Sequence, residues 1–331
     1  MIPSRILGTG RALPERVLTN AELERRVDTT DAWIVERTGI RERRILEPER
    51  VTSDLAAAAG LAACRSAGLA PSDLQCIIVA TVTPDSPLPS TAVSVQQKLG
   101  AGCCPAFDIT AACAGFLYGL AIADGFIRSG QFTHVLVIGV EVLSRVLDWR
   151  DRNTCVLFGD GAGAVVLGPA LNLDRVPCRG IISVDLAADG RGANDLLIPA
   201  GGSRQPTSVC TASEMLHTVK MNGKSVFGAA VRHMAASCRK TLSDNGLRPA
   251  DVDLVIAHQA NIRILEAVAD RVGLSAEQLY VNVQRYGNTS SASVPIALDE
   301  AVRDGRVQPG MTLLLCAFGA GFAWGSALVR W

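Results

Sequence analysis

The sequence has 331 residues, of which 48% are hydrophobic and 19% charged, and its formal net charge is zero. This length allows two domains of ordinary size or one large double domain, and the composition excludes a disordered chain. A neutral chain exerts no overall attraction on nucleic acid or on an anionic membrane surface, so neither is predicted as a partner.

The start of the chain and its cysteines both indicate a cytoplasmic protein. The first residues, Met1-Ile-Pro-Ser-Arg-Ile-Leu-Gly8, lack the basic segment and apolar core of a secretory signal. No apolar stretch approaches the ~20 residues that a membrane-spanning helix needs. Ten cysteines are scattered along the chain without a CxxC pair, so neither a zinc site nor a disulfide scaffold is predicted.

Apolar segments of strand length alternate with helical segments along the chain. The pattern predicts a helix over residues 53–67, capped by Ser53 and ended by Gly68. Buried strands are predicted over residues 76–81 and 135–139. This alternation is typical of an α/β fold with mostly parallel strands.

The chain also contains an internal repeat. Residues 68–78 read Gly-Leu-Ala-Pro-Ser-Asp-Leu-Gln-Cys-Ile-Ile, and residues 246–256 read Gly-Leu-Arg-Pro-Ala-Asp-Val-Asp-Leu-Val-Ile. The same offset of 178 positions aligns residues 134–138 with residues 312–316. Two matches at one offset without a gap predict that the fold is duplicated.

The repeat divides the chain into two related halves, predicted as residues 1–172 and 173–331. They join near residues 170–179, where prolines and charged residues interrupt the periodicity. Applied to Cys113, the offset leads to Ser291, three positions after Asn288. The segments around Cys113 and Asn288 are therefore expected to meet across a pseudo-twofold axis.

Cys113 lies where a strand ending near Asp108 is followed by a helix that runs to Arg128. The positive end of the helix dipole and free backbone N–H groups are expected to lower the pKa of its thiol and favour a nucleophile. Taken alone, a cysteine in an apolar setting is more often a packed core residue. With a strand before Cys113 and a helix after it, the sequence supports a nucleophile and a packed core residue about equally.

His258 follows an apolar strand at residues 254–257, at a carboxyl end of the sheet where ligands bind open α/β folds. Its neighbours form the polar cluster His-Gln-Ala-Asn-Ile-Arg, which packing alone does not explain, whereas the other three histidines lack such a setting. Asn288 follows a glycine, a pattern ordinary in turns and helix caps. Its equivalence to the Cys113 region is what makes it a candidate.

Two glycine-rich runs, residues 158–163 and 318–321, each lead into a strand-like segment. A dinucleotide-binding loop would instead open a helix, so a nucleotide-phosphate loop is rejected. These glycines are expected to let the backbone approach a substrate closely and to supply N–H donors.

Four segments together resemble the β-ketoacyl-acyl carrier protein synthase III family, which starts bacterial type II fatty acid synthesis: Ala-Ala-Cys113-Ala-Gly-Phe, His258-Gln-Ala-Asn-Ile-Arg, Gly-Asn288-Thr-Ser-Ser-Ala-Ser and Phe158-Gly-Asp-Gly-Ala-Gly. The resemblance covers nearly the whole chain. It implies a thiolase-like fold, a duplicated five-layered αβαβα architecture, and a homodimer.

The resemblance also assigns roles to individual residues. It implies a triad of Cys113, His258 and Asn288, with the backbone N–H groups of Cys113 and Ala320 as the oxyanion hole. Coenzyme A is expected to contact Trp33, Arg152 and Arg37. The pantetheine tunnel is expected to be lined by Gly223, Phe227 and Asn261. The primer gate is expected at Leu88, and carrier-protein docking at Arg263.

The chain departs from the family pattern at four positions. The primer gate is often Phe, where this chain has Leu88, and the third residue of the late glycine motif is often Gly, where it has Ala320. Basic residues expected at the carrier-docking face are partly replaced, by Gly228 and Asp270. These changes concern the primer and the carrier protein and leave the triad intact.

The implied reaction is a ping-pong condensation without metal or redox cofactor. Cys113 takes the acyl group of acyl-coenzyme A, with acetyl-coenzyme A as the expected primer. Malonyl-acyl carrier protein then enters, and His258 and Asn288 stabilise the enolate formed as CO2 leaves. The product is a 3-oxoacyl-acyl carrier protein.

Three alternatives remain from the sequence. A condensing enzyme of secondary metabolism with the same fold would use another primer or acceptor. A thiolase would need a second cysteine, for which Cys316 lies mid-strand, and a hydroxymethylglutaryl-coenzyme A synthase would need a general-base glutamate, for which no motif is found. A non-catalytic binding protein is disfavoured by the intact cysteine, histidine and asparagine.

Overall fold

A computed structural model describes residues 3–170 and 180–331. The strands are β1 (Ser4–Ala12), β2 (Val17–Thr19), β3 (Glu42–Arg44), β4 (Cys76–Ala80), β5 (Ala106–Ile109), β6 (Val135–Val142), β7 (Asp160–Pro169), β8 (Gly180–Ala188), β9 (Leu196–Leu197), β10 (Lys220–Met221), β11 (Leu254–Ala257), β12 (Thr312–Gly319) and β13 (Ala323–Arg330). The α-helices are α1 (Asn20–Leu23), α2 (Asp31–Thr38), α3 (Thr52–Ala67), α4 (Thr91–Leu99), α5 (Gly115–Arg128), α6 (Val209–Ser213), α7 (Gly223–Asp244), α8 (Ile262–Val272), α9 (Val283–Tyr286) and α10 (Ser293–Arg303).

Two large sheets share one topology. The first has the strand order β1-β7-β6-β4-β5 and the second β8-β13-β12-β11. In the first sheet β4 pairs in parallel with β5 and β6, whereas β7 pairs antiparallel with β6 and β1. In the second sheet β11 pairs in parallel with β12, whereas β13 pairs antiparallel with β12 and β8. Both sheets are therefore mixed, and the expectation of mostly parallel strands was wrong. The near-continuous apolar sequence of β4, β6 and β12 suits these central strands, because both of their faces are buried.

Helices cover both faces of each sheet. α5 packs against β4 and β6 of the first sheet and against β8 and β13 of the second, and α10 likewise contacts both sheets. α3 and α4 pack on the outer face of the first sheet, and α7 lies on the outer face of the second with α8 beside it. The result is the five-layered αβαβα thiolase-like fold that the family resemblance implies.

The predicted offset of 178 positions recurs in the secondary structure. β4 begins at Cys76 and β11 at Leu254, and α5 begins at Gly115 and α10 at Ser293. A short 3-10 turn precedes each of these helices, Ala112–Ala114 in one case and Ser290–Ala292 in the other. The repeat of elements is thus confirmed, whereas the proposed join near residues 170–179 and the boundary at 172/173 lie outside the described residues.

Helix ends follow the sequence signals with one exception. Gly68 and Gly273 end α3 and α8 in left-handed conformations, with φ of 69° and 86°. Ser53, however, is not the cap of α3, because the helix already begins at Thr52 and Ser53 lies inside it. The Asp54 side chain accepts the Val51 backbone N–H instead, at 2.8 Å. That prediction was wrong because an acidic residue three positions into a helix also satisfies its first donors.

Within the described residues, no helix is long and apolar enough to cross a membrane.

Candidate active site

Cys113 lies on the 3-10 turn between β5 and α5, as its strand–cysteine–helix pattern predicts. Ala112 before it adopts a left-handed φ of 45°, and Ser290, its equivalent in the second half, has a φ of 48°. Non-glycine residues rarely adopt this conformation, and it tends to persist at functional sites. The two turns pack against each other at the interface between the halves.

Burial dominates the titration of the Cys113 thiol. Removal from water raises the pKa of Cys113 to about 12, against the lowering effect of a hydrogen bond from Ser290, while the nearby Glu141 carboxylate raises it further. A helix N-terminus contributes at most about 2 kcal/mol, which is too little to offset this burial. The expected low thiol pKa was therefore wrong for the free protein, and Cys113 is a protonated thiol at neutral pH.

His258 follows β11 directly, and its backbone N–H donates to the Cys316 carbonyl at 2.7 Å. The ring is buried, with 3% of the residue exposed. Its Nδ1 lies 3.0 Å from the Ser293 hydroxyl oxygen. Burial lowers the pKa of His258 to about 4, so the ring is neutral at physiological pH.

Asn288 is held by its own backbone and by one side-chain contact. Its N–H donates to the Leu157 carbonyl at 2.8 Å, and its carbonyl accepts the Gly159 N–H at 3.0 Å. The side-chain Oδ1 accepts the Ser290 N–H at 2.8 Å. Because the amide oxygen is engaged in this way, the amide nitrogen is the group left to donate.

The three predicted triad residues line one cavity of about 170 Å³. Its wall also contains the three residues predicted for a pantetheine tunnel, which are Gly223, Phe227 and Asn261. The structure thus brings together a thiol, a neutral imidazole and an amide, all at the carboxyl ends of strands or on the turns that face them. The other three histidines line neither this cavity nor the next one.

A second cavity of about 220 Å³ meets the first at Cys113. Its lining is almost entirely aliphatic or aromatic and includes Val82, Leu143, Phe158, Leu196, Leu197, Ile198 and Val219. An apolar pocket of this kind suits the hydrocarbon part of an acyl group attached to the thiol. This cavity could not be predicted from the sequence, because its lining comes from segments far apart in the chain.

The late glycine motif lies against Cys113. A Cβ on Gly319 would lie 2.5 Å from the Cys113 backbone nitrogen, so only glycine allows β12 to end so close to the turn. The next residue, Ala320, lines the apolar cavity together with Cys113. Both residues predicted for the oxyanion hole are therefore found beside one cavity.

The first glycine-rich run has a different role from the one predicted. A Cβ on Gly159 would lie 2.4 Å from the Tyr286 carbonyl oxygen, and one on Gly163 would lie 2.5 Å from the Ile296 nitrogen. These two glycines admit the backbone of the second half rather than a substrate, so the prediction of substrate contact was wrong for them, although Phe158 of the same run lines both cavities. The rejection of a nucleotide loop agrees with the structure, where the run enters β7.

A basic and aromatic cluster lies near the tunnel residues. The guanidinium carbons of Arg37 and Arg152 lie 4.9 and 5.3 Å from the Trp33 ring centroid. The Arg37 carbonyl accepts a hydrogen bond from the Asn261 side chain at 3.0 Å. Arg263 lies 6.0 Å from the Phe227 ring centroid. All three arginines are exposed, so the cluster offers positive charge and a stacking surface to a ligand.

Leu88 is separate from the site within this chain. It lies on the connection between β4 and α4, and 85% of its surface is exposed. An apolar side chain so exposed is unusual and is consistent with burial against another molecule.

Glu141 is a buried acid that the sequence analysis did not select. Its carboxylate accepts hydrogen bonds from Val82 N at 3.1 Å, from the Thr83 hydroxyl at 2.6 Å and from the Ser291 hydroxyl at 3.1 Å. Burial raises the pKa of Glu141 to about 7. Through these hydrogen bonds the carboxylate connects the end of β4 with the turn that follows Asn288. A single acid within the apolar run at 135–143 was the available signal.

The buried ring of His258 leads to a pH prediction. We expect its ring resonances to stay unchanged from pH 8 down to about 5, because its pKa is lowered to about 4. The neutral ring is favoured in the fold, so its contribution to stability is present above pH 6.5 and is lost as the pH falls towards 4. Proton NMR would test this, with the signal assigned by its loss in His258→Gln. A midpoint near 6.5 would contradict the buried, neutral ring.

Comparison with known proteins identifies the family. The family model 3-Oxoacyl-[acyl-carrier-protein (ACP)] synthase III matches residues 107–190, and its C-terminal counterpart matches residues 242–331. A β-ketoacyl-[acyl-carrier-protein] synthase III of Caldanaerobacter subterraneus subsp. tengcongensis is 52% identical over 331 residues, which is 100% of this chain and 98% of the relative.

Similarity to solved structures supports the same family. The 3-oxoacyl-[acyl-carrier-protein] synthase III of Aquifex aeolicus is 46% identical, with a TM-score of 0.90 over 99% of this chain and 100% of that one. The priming β-ketosynthase of the R1128 polyketide pathway is more distant, at 37% identity and a TM-score of 0.89 over 99% of this chain and 96% of that one. The chain therefore belongs to the β-ketoacyl-[acyl-carrier-protein] synthase III family and is an acyltransferase of the thiolase fold that carries out the initiating condensation of fatty acid synthesis.

Proposed function

We propose that the chain transfers the acyl group of an acyl-coenzyme A primer, acetyl-coenzyme A in the first instance, to Cys113 and condenses it with malonyl-acyl carrier protein. The observation that carries this proposal is the meeting of two cavities at Cys113. One is apolar and suits the acyl chain, whereas the other carries His258 and Asn288 and suits a pantetheine arm.

In the first half-reaction, the Cys113 sulfur attacks the thioester carbonyl and loses its proton, and the coenzyme A thiol leaves with a proton. The backbone N–H groups of Cys113 and Ala320 would stabilise the tetrahedral oxyanion. Each such donor contributes about 3–4 kcal/mol in other enzymes. Because the free thiol is protonated, we infer that binding of the acyl-coenzyme A must favour its ionisation.

In the second half-reaction, the malonyl thioester enters the tunnel that the coenzyme A has left. The Asn288 amide nitrogen and the neutral His258 ring donate hydrogen bonds to the thioester oxygen. The malonyl carboxylate departs as CO2, and its bonding electrons form an enolate. The enolate carbon attacks the acyl carbonyl on Cys113, and the thiolate leaves as the 3-oxoacyl product forms. Neither step requires a redox cofactor, since no atom is oxidised or reduced by an external agent.

A test of this function is a panel of acyl-coenzyme A primers assayed with malonyl-acyl carrier protein. We expect 3-oxoacyl-acyl carrier protein as the product, with the primer preference set by the apolar cavity. The second candidate, a priming synthase of secondary metabolism, is suggested by the similarity to the R1128 ketosynthase. It would be favoured if acetyl-coenzyme A were rejected and a longer or unusual primer accepted.

The basic and aromatic cluster leads to a prediction about coenzyme A binding. If the adenine stacks between Trp33 and Arg152, Arg152→Ala should raise the KM for acyl-coenzyme A by roughly 5- to 30-fold and leave kcat nearly unchanged, since a desolvated cation–π contact is worth about 1–2 kcal/mol. Steady-state kinetics with saturating malonyl-acyl carrier protein would measure the effect. Arg150→Ala is the matched control, because that exposed arginine pairs with Asp148 and not with Trp33. An unchanged KM in Arg152→Ala would remove the residue from the binding site.

The homodimer is proposed from the free edge of the first sheet. β5 is the edge strand, and the segment next to it carries the exposed Leu88 and Val93. Pairing of β5 with its copy across a twofold axis would cover the open edge and bury both side chains. It would also carry Leu88 towards the apolar cavity of the partner, as the family position implies.

Leu88→Phe should then shift the preference towards shorter primers, because the larger ring reduces the space for the acyl chain. Comparison of kcat/KM for two-, four- and six-carbon acyl-coenzyme A would show the shift. Leu88→Ala is the opposite control, since it should extend the accepted length. A chain-length profile that is the same in all three proteins would show that Leu88 is not at the pocket.

A mixture of subunits would show which chain supplies the gate. In a heterodimer of Leu88→Phe and Cys113→Ala chains, the one intact thiol lies on the Leu88→Phe chain. If Leu88 comes from the partner, this site receives a wild-type leucine and recovers the wild-type primer profile. If the shortened profile persists, Leu88 acts within its own chain.

Carrier-protein docking at Arg263 is also proposed. Arg263 is exposed beside Phe227, and among the described residues it forms no ion pair, which leaves its charge available to an acidic partner. Gly228 and Asp270, where the family pattern predicts basic residues, are exposed as well. The cytoplasmic location stays a prediction from the sequence.

A further inference from the structure

Two groups approach the Ser293 hydroxyl within hydrogen-bonding distance. The Gln259 backbone nitrogen lies 2.7 Å from Ser293 Oγ, and the Nδ1 atom of His258 lies 3.0 Å away. Among the described residues, Oγ has no other hydrogen-bond partner. Ser293 is the first residue of α10 and is 2% exposed, so water does not compete for these contacts.

The direction of these bonds follows from the donors available. The Gln259 N–H can only donate, so it uses one lone pair of Oγ. The hydroxyl proton then has one acceptor within reach, which is Nδ1 of His258. If Nδ1 carried the proton instead, a buried hydroxyl proton would be left without an acceptor, which is costly.

We propose that Ser293 is a positioning residue that holds His258 as the Nε2–H tautomer and sets the orientation of its ring. The proposal rests on the proposed function, in which His258 donates a hydrogen bond to the malonyl thioester oxygen. With Nδ1 accepting from Ser293, Nε2 is the nitrogen that carries the proton. Nε2 has no partner among the described residues, and His258 lines the tunnel cavity.

This arrangement defines what the ring can do. A neutral ring with its proton on Nε2 is a donor and not a base towards a ligand in the tunnel. The lowered pKa of His258 supports this role, because the ring does not take up a second proton near neutral pH. The Ser293 contact therefore matters to decarboxylation and not to acylation of Cys113.

The proposal is tested first on the wild-type enzyme labelled with ¹⁵N-histidine, which has only four histidines. Two-bond ¹H–¹⁵N spectra report which nitrogen of His258 carries the proton. We expect the proton on Nε2 and an Nδ1 resonance displaced by an accepted hydrogen bond. A proton on Nδ1 would overturn the proposal, and this result does not depend on how any variant folds.

The second test compares the half-reactions in Ser293→Ala, Ser293→Thr and Ser237→Ala. Ser237 is the matched control, a buried serine that bonds to Asp185 and Ser326 away from the site. We expect Ser293→Ala to keep the wild-type acylation rate, to lose roughly tenfold in decarboxylation, and to lose the displacement of the Nδ1 resonance. Ser293→Thr, which keeps the hydroxyl, should restore both, and Ser237→Ala should change neither.

The outcomes separate this proposal from the function on which it rests. Equal losses in both half-reactions of Ser293→Ala, or no loss in decarboxylation, would overturn the positioning role. If wild-type enzyme with the Nε2–H tautomer released no CO2 from malonyl-acyl carrier protein, the proposed function would fail while the tautomer assignment stood.

Discussion

His258→Ala and Asn288→Ala are each expected to lose decarboxylation by a factor on the order of 10²–10³, because each removes one donor to the same thioester oxygen. Both variants should still become acylated, since neither side chain attacks the primer. The measurement is CO2 release from malonyl-acyl carrier protein beside intact-mass analysis after incubation with acetyl-coenzyme A.

The double variant gives a sharper result. Two donors that act on one oxygen are not independent. The decarboxylation rate of the variant that carries both His258→Ala and Asn288→Ala should therefore fall by a smaller factor than the product of the two single-variant factors. His217→Ala serves as the control, because His217 bonds to Thr211 outside both cavities. A wild-type rate of condensation in Asn288→Ala would show that this side chain has no part in the reaction.

Cys113→Ala is expected to abolish uptake of the acyl group and all condensation, while CO2 release from malonyl-acyl carrier protein persists. The variant removes the proposed nucleophile but leaves the proposed tunnel and its two proposed donors in place. The substitution is small and lies on a buried turn beside Gly319, where alanine fits the space of the cysteine. A folded protein is therefore expected, and circular dichroism would confirm it.

The nine other cysteines make this result informative. Cys103 and Cys210 are exposed and could acquire a label non-specifically, whereas Cys64, Cys76 and Cys155 are buried thiols whose pKa is raised by burial. Full acylation of Cys113→Ala at another cysteine would contradict the assignment. Complete loss of CO2 release in this variant would contradict the division of labour between thiol and donors.

The positions of the main site residues could be predicted because each follows from a local pattern. Cys113 stands between a strand and a helix, and His258 stands at the end of β11, so the ends of strands place both in the described site. Asn288 could be placed by the repeat alone, since the offset of 178 positions sets its turn opposite that of Cys113. These inferences need only periodicity, the internal repeat and the rule that ligands bind at the carboxyl ends of strands in α/β sheets.

Properties that depend on the surroundings could not be predicted in this way. The thiol of Cys113 has a raised pKa because it is removed from water, and burial is a tertiary property that outweighs the helix dipole visible in the sequence. Ser293 and Glu141 gain their significance from contacts with residues distant in the chain.

The glycines show the same limit. A glycine in a motif predicts that another group lies close to its backbone, but it does not predict which group that is. The backbone nitrogen of Cys113 lies against Gly319, and the Tyr286 carbonyl lies against Gly159. The glycine pattern alone predicted substrate contact at both runs. The packing of the two halves shows that Gly159 and Gly319 both admit protein backbone.

The most direct test of the account is a chase experiment on the wild-type enzyme. The protein is incubated with acetyl-coenzyme A, the modified peptide is located by mass spectrometry, and malonyl-acyl carrier protein is then added. We predict one acetyl group on Cys113 that disappears as CO2 and 3-oxoacyl-acyl carrier protein form in equal amounts. An acetyl group on another residue, or one on Cys113 that malonyl-acyl carrier protein does not remove, would contradict the account.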